Sequence, residues 1–344
     1  MKARFEQDSP FRIRSGIIYV LRSAAGQGHT CLPADELAMQ AAALLGVPEE
    51  AVTSEYQGLM TDRKIRVKRD CVFLTYIYRV ELETAAMLCD LNIDAKADEK
   101  ELERTIARVE KEERIDLDEM QRVAVREAAR RGVLIVTGGP GTGKTTIIKT
   151  IIKYLEYSGM EVLLAAPTGR AAKRMSEAAG MEARTVHRLL EVSGAPEQDG
   201  MADLGASAGG AGSFGGRFGR DRDTPLEADA VIIDEASMVD IFLMNALLKA
   251  IPVGTRLILV GDGAQLPPVG LDASPALSKE FMEGFGGTFF SLLTTVVRQP
   301  RASGILHNAT RLRKILEDPY FEELPAKELG LETEGFEDIE RLGG

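Results

Sequence analysis

Eight consecutive residues constrain this chain more than any others: Gly138-Gly139-Pro140-Gly141-Thr142-Gly143-Lys144-Thr145. They fit the pattern G-x-x-x-x-G-K-[ST] at every position. An apolar run, Val133–Thr137, precedes them, and helical spacing follows over Thr145–Leu155. A strand that turns sharply into a helix needs residues that tolerate unusual backbone angles, and glycine supplies them. In such a turn successive N–H groups point inward, and the helix N-terminus adds positive potential, so the loop suits phosphate oxygens. Lys144 brings a full charge to the β- and γ-phosphates of a nucleotide, and Thr145 offers its hydroxyl to Mg²⁺. Thr146 continues the same turn.

The surrounding pattern gives that loop a sheet to sit on. Glu161–Ala165, Ala230–Asp234 and Arg256–Gly261 are further short apolar runs separated by helical segments, and Phe289–Leu293 adds a candidate fifth strand. Such alternation predicts an α/β fold, a parallel sheet with helices on both faces. One run ends in two acids, Asp234 and Glu235. Ligands bind at that edge of open α/β sheets, which places both carboxylates beside the loop. Asp234 is expected to hold Mg²⁺, through water, and Glu235 to orient and deprotonate an attacking water. The next run leads to Gln265, placed to sense the γ-phosphate or to serve as a turn residue.

Organisation changes along the chain. Residues 1–95 read as a small, mainly helical domain. Lys64–Lys68 and Val72–Tyr76 read as a charged hairpin within it, of winged-helix or helix-hairpin-helix character. That hairpin either touches a phosphate backbone or is a solvated strand face. Residues 96–116 form a charged helical linker, 117–316 the α/β domain, and 193–223 a Gly-rich flexible insertion. Net charge is −11, but Glu317–Glu340 holds ten acids and one base within an acidic tail, 317–344. The remainder is close to neutral, so a polyanionic partner is allowed where contact is local. The three cysteines, Cys31, Cys71 and Cys89, have no paired spacing, which argues against zinc and disulfides and for a reducing cytoplasm. No apolar run approaches the roughly 20 residues of a membrane span, and the polar Met1–Pro10 is no signal peptide.

Taken in order, these segments resemble superfamily 1 DNA helicases, most nearly the RecD/TraA group. Leu117-Asp118-Glu119-Met120-Gln121 resembles the Q-motif, which implies that Gln121 recognises adenine. Ala166-Pro167-Thr168-Gly169-Arg170-Ala171-Ala172 resembles motif Ia, and Thr185-Val186-His187-Arg188 the segment after it. Asp234-Glu235-Ala236-Ser237-Met238 is similar to motif II, Gly261 through Gly270 to motif III, and Val297-Arg298-Gln299 to motif IV. The resemblance implies that Arg298 reaches the γ-phosphate, and that Pro167, Thr168, Arg170, Thr185 and His187 line a single-strand DNA path. Arg170, Lys173 and Arg174 are cations suited to DNA phosphates, with a solvated helix face as the alternative for the latter two. Pro10–Ile13 and Gly28–Pro33 resemble the helical domain that precedes the motor, which makes His29 a turn residue.

The expected cofactors are therefore ATP and Mg²⁺. The expected partner is single-stranded DNA, or DNA with a single-stranded 5′ end, with 5′-to-3′ movement in the intact parent. Setting (repair, recombination or conjugation) and protein partners stay open. Family motors use two RecA-like domains, whereas after Arg298 the sequence shows a basic helix, Ser303–Lys314, and the acidic tail. The expectation is a fragment or truncated relative that hydrolyses ATP weakly and does not unwind duplex by itself. The alternative is a nucleotide-dependent DNA- or protein-binding module without motor activity. A small-molecule kinase shares the loop but leaves Thr168–Arg170 and Gln265–Gly270 without a role.

Overall fold

The computed structural model describes residues 8–95, 97–139, 141–193 and 218–262, with the backbone of 290–293. The N-terminal part is α1 (Pro10–Gly26), β1 (Cys31–Pro33), α2 (Ala34–Leu45), α3 (Glu49–Ser54), α4 (Tyr56–Thr61), β2 (Ile65–Lys68), β3 (Cys71–Leu74) and α5 (Thr75–Leu91). Its strands form an antiparallel sheet in the order β1-β3-β2. The hairpin expected from the alternation of apolar and basic residues is present and pairs Ile65 with Leu74 and Lys68 with Cys71, but its second strand runs Cys71–Leu74 because α5 begins at Thr75. Strand β1 is too short to show a period in the sequence. It brings Cys31 against Cys71, and burial, with Cys71 second, pushes the Cys31 thiol up to about 12. All three cysteines are free. His29 is an exposed turn residue whose backbone N–H donates to the Ala24 carbonyl.

The second part comprises α6 (Glu99–Glu113), α7 (Glu119–Arg130), β4 (Val133–Gly138), α8 (Lys144–Tyr157), β5 (Val162–Ala166), α9 (Gly169–Ala179), β6 (Ala183–Thr185), α10 (Val186–Leu189), β7 (Ala230–Ile233), α11 (Ile241–Ala250), β8 (Arg256–Gly261) and β9 (Phe290–Leu293). The sheet order is β6-β5-β7-β8-β4-β9, every neighbouring pair parallel. Period-two alternation splits each central strand between two cores. Leu134, Val136, Ile232, Ile258 and Val260 pack under α6, α7, α8 and α9. Val133, Ile135, Val231, Ile233, Leu257 and Leu259 face α5, α10 and α11. Both faces are dry, which is why these strands read as unbroken apolar runs.

The two parts share packing. Met87, Leu88 and Leu91 of α5 enter the core under α11, and Ile241 of α11 enters the N-terminal core. Buried Asn245 donates to the Thr84 hydroxyl at 3.1 Å across that contact. Gly132, just before β4, leaves no room for a side chain. A Cβ there would lie 2.0 Å from the Leu91 carbonyl oxygen, so the end of α5 and the start of the central strand are in direct contact. The stretch expected as a linker is helical over Glu99–Glu113 and buries Leu102, Ile106 and Val109, the first two against α7 and α8. The Gly-rich stretch 194–217, the segment Ser303–Lys314 and the acidic tail lie outside the described residues.

Candidate nucleotide site

The site is assembled at the C-terminal edge of the parallel sheet, where β4, β7, β8, β5 and β6 all discharge their loops. Strand β4 is buried along its whole length and passes into the loop at Gly138. Gly141 (φ 80°) and Gly143 (φ 84°) are left-handed, the backbone region in which a Cβ meets the carbonyl, and this reverses the chain into α8 at Lys144. The Thr142 side chain is buried and its hydroxyl donates to the Gly139 carbonyl at 2.9 Å, closing the loop on itself. The Lys144 ammonium donates to the carbonyls of Gly138 and of Gly139, the latter at 2.9 Å. It thus stands over the loop's mouth.

Gln121 reaches the same loop from the first turn of α7. It completes a capping box with Asp118: its N–H donates to the Asp118 carboxylate at 2.9 Å, and its side-chain oxygen accepts from the Asp118 N–H at 3.1 Å. Its amide nitrogen donates to the Thr142 carbonyl at 3.2 Å, and the residue is only 2% exposed. Both ends of the amide are therefore committed within the protein. Sequence reasoning gives Gln121 an adenine to recognise and does not foresee this brace.

Across the cleft, Asp234 follows β7, its N–H donating to the Ala165 carbonyl at 3.0 Å. Its carboxylate accepts from the Glu235 N–H at 2.9 Å. Burial pushes the Asp234 carboxyl up and the Glu235 charge adds to this, while the Glu235 N–H and the Lys144 ammonium pull it down. Glu235 itself is left-handed (φ 51°), a conformation that costs a non-glycine residue roughly 1–2 kcal/mol. The Ser237 hydroxyl, two residues on, is buried without a hydrogen-bond partner among the described residues.

One cleft of about 440 Å³ gathers Gly139, Gly141, Gly143, Lys144, Thr145, Asp234 and Glu235. Its donor set of a threonine hydroxyl and carboxylates is the hard-oxygen set that suits Mg²⁺, beside a loop that suits phosphate. Its far wall is α9, through Ala171, Arg174, Met175, Ala178 and Ala179. The sequence reading leaves Arg174, with Lys173, either on DNA phosphates or on a solvated helix face. The structure turns Arg174 to the nucleotide cleft, and its i, i+3 and i, i+4 spacing to Ala171 and Ala178 was the available signal. Buried Asp262 at the end of β8 is likewise not singled out by the sequence.

The remaining candidates fall at two places. Pro167, Thr168 and Arg170 follow β5; Thr185 ends β6, its parallel neighbour, opposite Ala166, and His187 follows it. They form one strip along the sheet edge, away from β4. Both threonine hydroxyls serve as helix caps, Thr168 to the Ala171 N–H and Thr185 to the Arg188 N–H, each at 3.2 Å. Thr146, in the first turn of α8, is half-buried. Pro140, Gln265 and Arg298 lie outside the described residues.

An AAA-domain family model matches residues 121–271. The ATP-dependent RecD2 DNA helicase of Deinococcus radiodurans is 32% identical over 280 residues, 76% of this chain and 35% of that protein. The RecBCD enzyme subunit RecD of Mycolicibacterium smegmatis is 34% identical over 56% of this chain and 35% of its own length. In sequence the chain is thus similar to the RecD-like helicases. It spans about a third of the length of these curated relatives. Among solved structures, the Pif1 helicase from Candida albicans is 21% identical over 58% of this chain and 44% of that one, with a TM-score of 0.35. No helix among the described residues is long and apolar enough to cross a membrane.

Proposed function

We propose that this RecD-like chain binds Mg·ATP in the cleft between its phosphate loop and α9 and hydrolyses it. In the intact parent, hydrolysis drives 5′-to-3′ movement along single-stranded DNA. The observation that carries the reading is the convergence of Lys144, Thr145, Asp234 and Glu235 on one cleft, whose walls come from three separate stretches of chain. Lys144 leaves its loop carbonyls for the β- and γ-phosphate oxygens, and Glu235 accepts the proton of the attacking water. Thr145 and Asp234 hold Mg²⁺, which when bound neutralises the charge of the polyphosphate. Gln265 and Arg298 are proposed to act on the γ-phosphate, and Pro167, Thr168, Arg170, Thr185 and His187 to follow the strand of DNA.

Steady-state hydrolysis with and without a single-stranded oligonucleotide tests the reading. Turnover that rises on adding the oligonucleotide is expected. ATP binding without turnover under either condition would instead assign the chain to a nucleotide-dependent binding module. Polarity is tested separately, on the full-length parent and a strand blocked at one end. Movement from 3′ to 5′ would overturn it.

A further inference from the structure

We infer that the β2–β3 hairpin of the N-terminal part is a second nucleic-acid contact, one that grips the phosphate backbone of duplex DNA. The choice of polyanion rests on the proposed function; the surface itself does not. Arg63, Lys64, Arg66, Lys68 and Arg69 place five cations within seven residues, all five exposed. None forms an ion pair with a carboxylate among the described residues. The acids nearest in sequence, Asp62 and Asp70, do not cancel them. Asp62 is paired with Arg14 at 3.1 Å, and Asp70 is a single exposed charge in the turn. Glu81 is half-buried, and its carboxyl is pushed up by burial while a hydrogen bond from Thr30 opposes the shift.

The geometry turns that composition into a surface. Ile65 and Val67 point into the core side of the sheet, so Arg66 and Lys68 share the opposite face, about 6.7 Å apart along the strand. Strand β2 is the edge of its sheet, with β3 on one side only. The turn carries Arg69 (φ 48°) and Asp70 (φ 62°), both left-handed, between the paired Lys68 and Cys71. Two-residue hairpins of this type favour Asn-Gly, so a bulky cation here is held against local preference. Arg63 is left-handed too (φ 54°) and flanks the other end of β2.

The aromatic residues argue for duplex over single strand. Phe73 lies opposite Arg66, but its ring is committed edge-to-face to Tyr78, with centroids 5.3 Å apart. Half-buried and held in that contact, it is a poor platform for an unpaired base of the kind that single-strand grooves stack. What remains is sequence-independent contact with phosphates, whose affinity must fall with salt. In a chain of net charge −11 such contact has to be local, and this patch is local.

The test is binding of the whole chain, without nucleotide, to a blunt-ended duplex followed by fluorescence anisotropy over a salt series. Replacing Arg66→Gln, Lys68→Gln and Arg69→Gln together is expected to weaken binding at least about tenfold at low salt. The slope of log K against log salt should become shallower by about 2 to 3, since each phosphate no longer neutralised removes about 0.9. The charge-keeping set Arg66→Lys, Lys68→Arg and Arg69→Lys should retain both affinity and slope, which separates charge from folding. Hydrolysis without DNA should be unchanged in both sets. Unaltered binding and slope in the neutral set would overturn the inference. So would a wild-type chain that ignores duplex while single strands stimulate its hydrolysis, and that result would leave the proposed function standing.

Discussion

Asp234 carries the electrostatic tension of the site in one side chain. Its carboxyl is raised first by burial and then by Glu235, so the fold favours its protonated form. A raised folded-state value adds stability that is fully present below the ordinary aspartate range, near pH 3.9, and lost as pH rises through the raised value. At neutral pH the ionised group therefore costs stability unless a cation is bound. Asp234→Asn should melt higher than the wild type at pH 7 without Mg²⁺, with the gap closing as pH falls toward about 4. Thermal melts across that range check it, and a gap independent of pH, or a less stable variant, would contradict the assignment. Gln121 makes a second residue-scale prediction. Its amide braces the Thr142 carbonyl, a buried hydrogen bond of about 1–1.5 kcal/mol. Gln121→Ala should weaken ATP and GTP alike, about five- to tenfold on that estimate. Selective loss of ATP would return the residue to direct adenine recognition.

The legibility of the fold depended on how each element is buried. Strands β4, β7 and β8 are covered on both faces, so they appear in the sequence as continuous apolar runs and are readable nearly to the residue. Strands β1 and β6 are three residues each, too short for any period to register, and β6 escapes the sequence reading although it carries Thr185. Helix α6 is read from the sequence as a helical linker, but charge hides its packing. Only Leu102, Ile106 and Val109 are buried, and the rest of its surface is dominated by ions such as Glu110, paired with Arg122 at 2.7 Å. Because Ile106 is fully buried against α7 and α8, Ile106→Ala should cost about 2–5 kcal/mol in denaturant unfolding. A change below about 1 kcal/mol would show that α6 is a tether and not part of the core. The phosphate loop is legible because its residues are contiguous. The α9 wall is not, since the facing of Arg174 depends on how α9 settles against α8, a tertiary fact that spacing only hints at.

At the scale of the molecule, sheet order explains why distant segments converge. Strand β8 lies between β4 and β7, so the loop, Asp262 and the Asp234–Glu235 pair emerge side by side. Strands β5 and β6 extend the same edge away from the loop and carry the proposed DNA strip. The proposed nucleotide chemistry and strand contact thus share one sheet, and α5 packs on α11 to join the basic hairpin's domain to it. The central claim is that this edge hydrolyses ATP through Glu235. The most direct measurement is steady-state Mg·ATP turnover by Glu235→Gln beside the wild type, with single-stranded DNA present and nucleotide binding followed on the same samples. The account predicts retained ATP binding with turnover lowered at least about 100-fold, the contribution of a positioned general base. Turnover by the Glu235→Gln protein within a few-fold of wild type would contradict it.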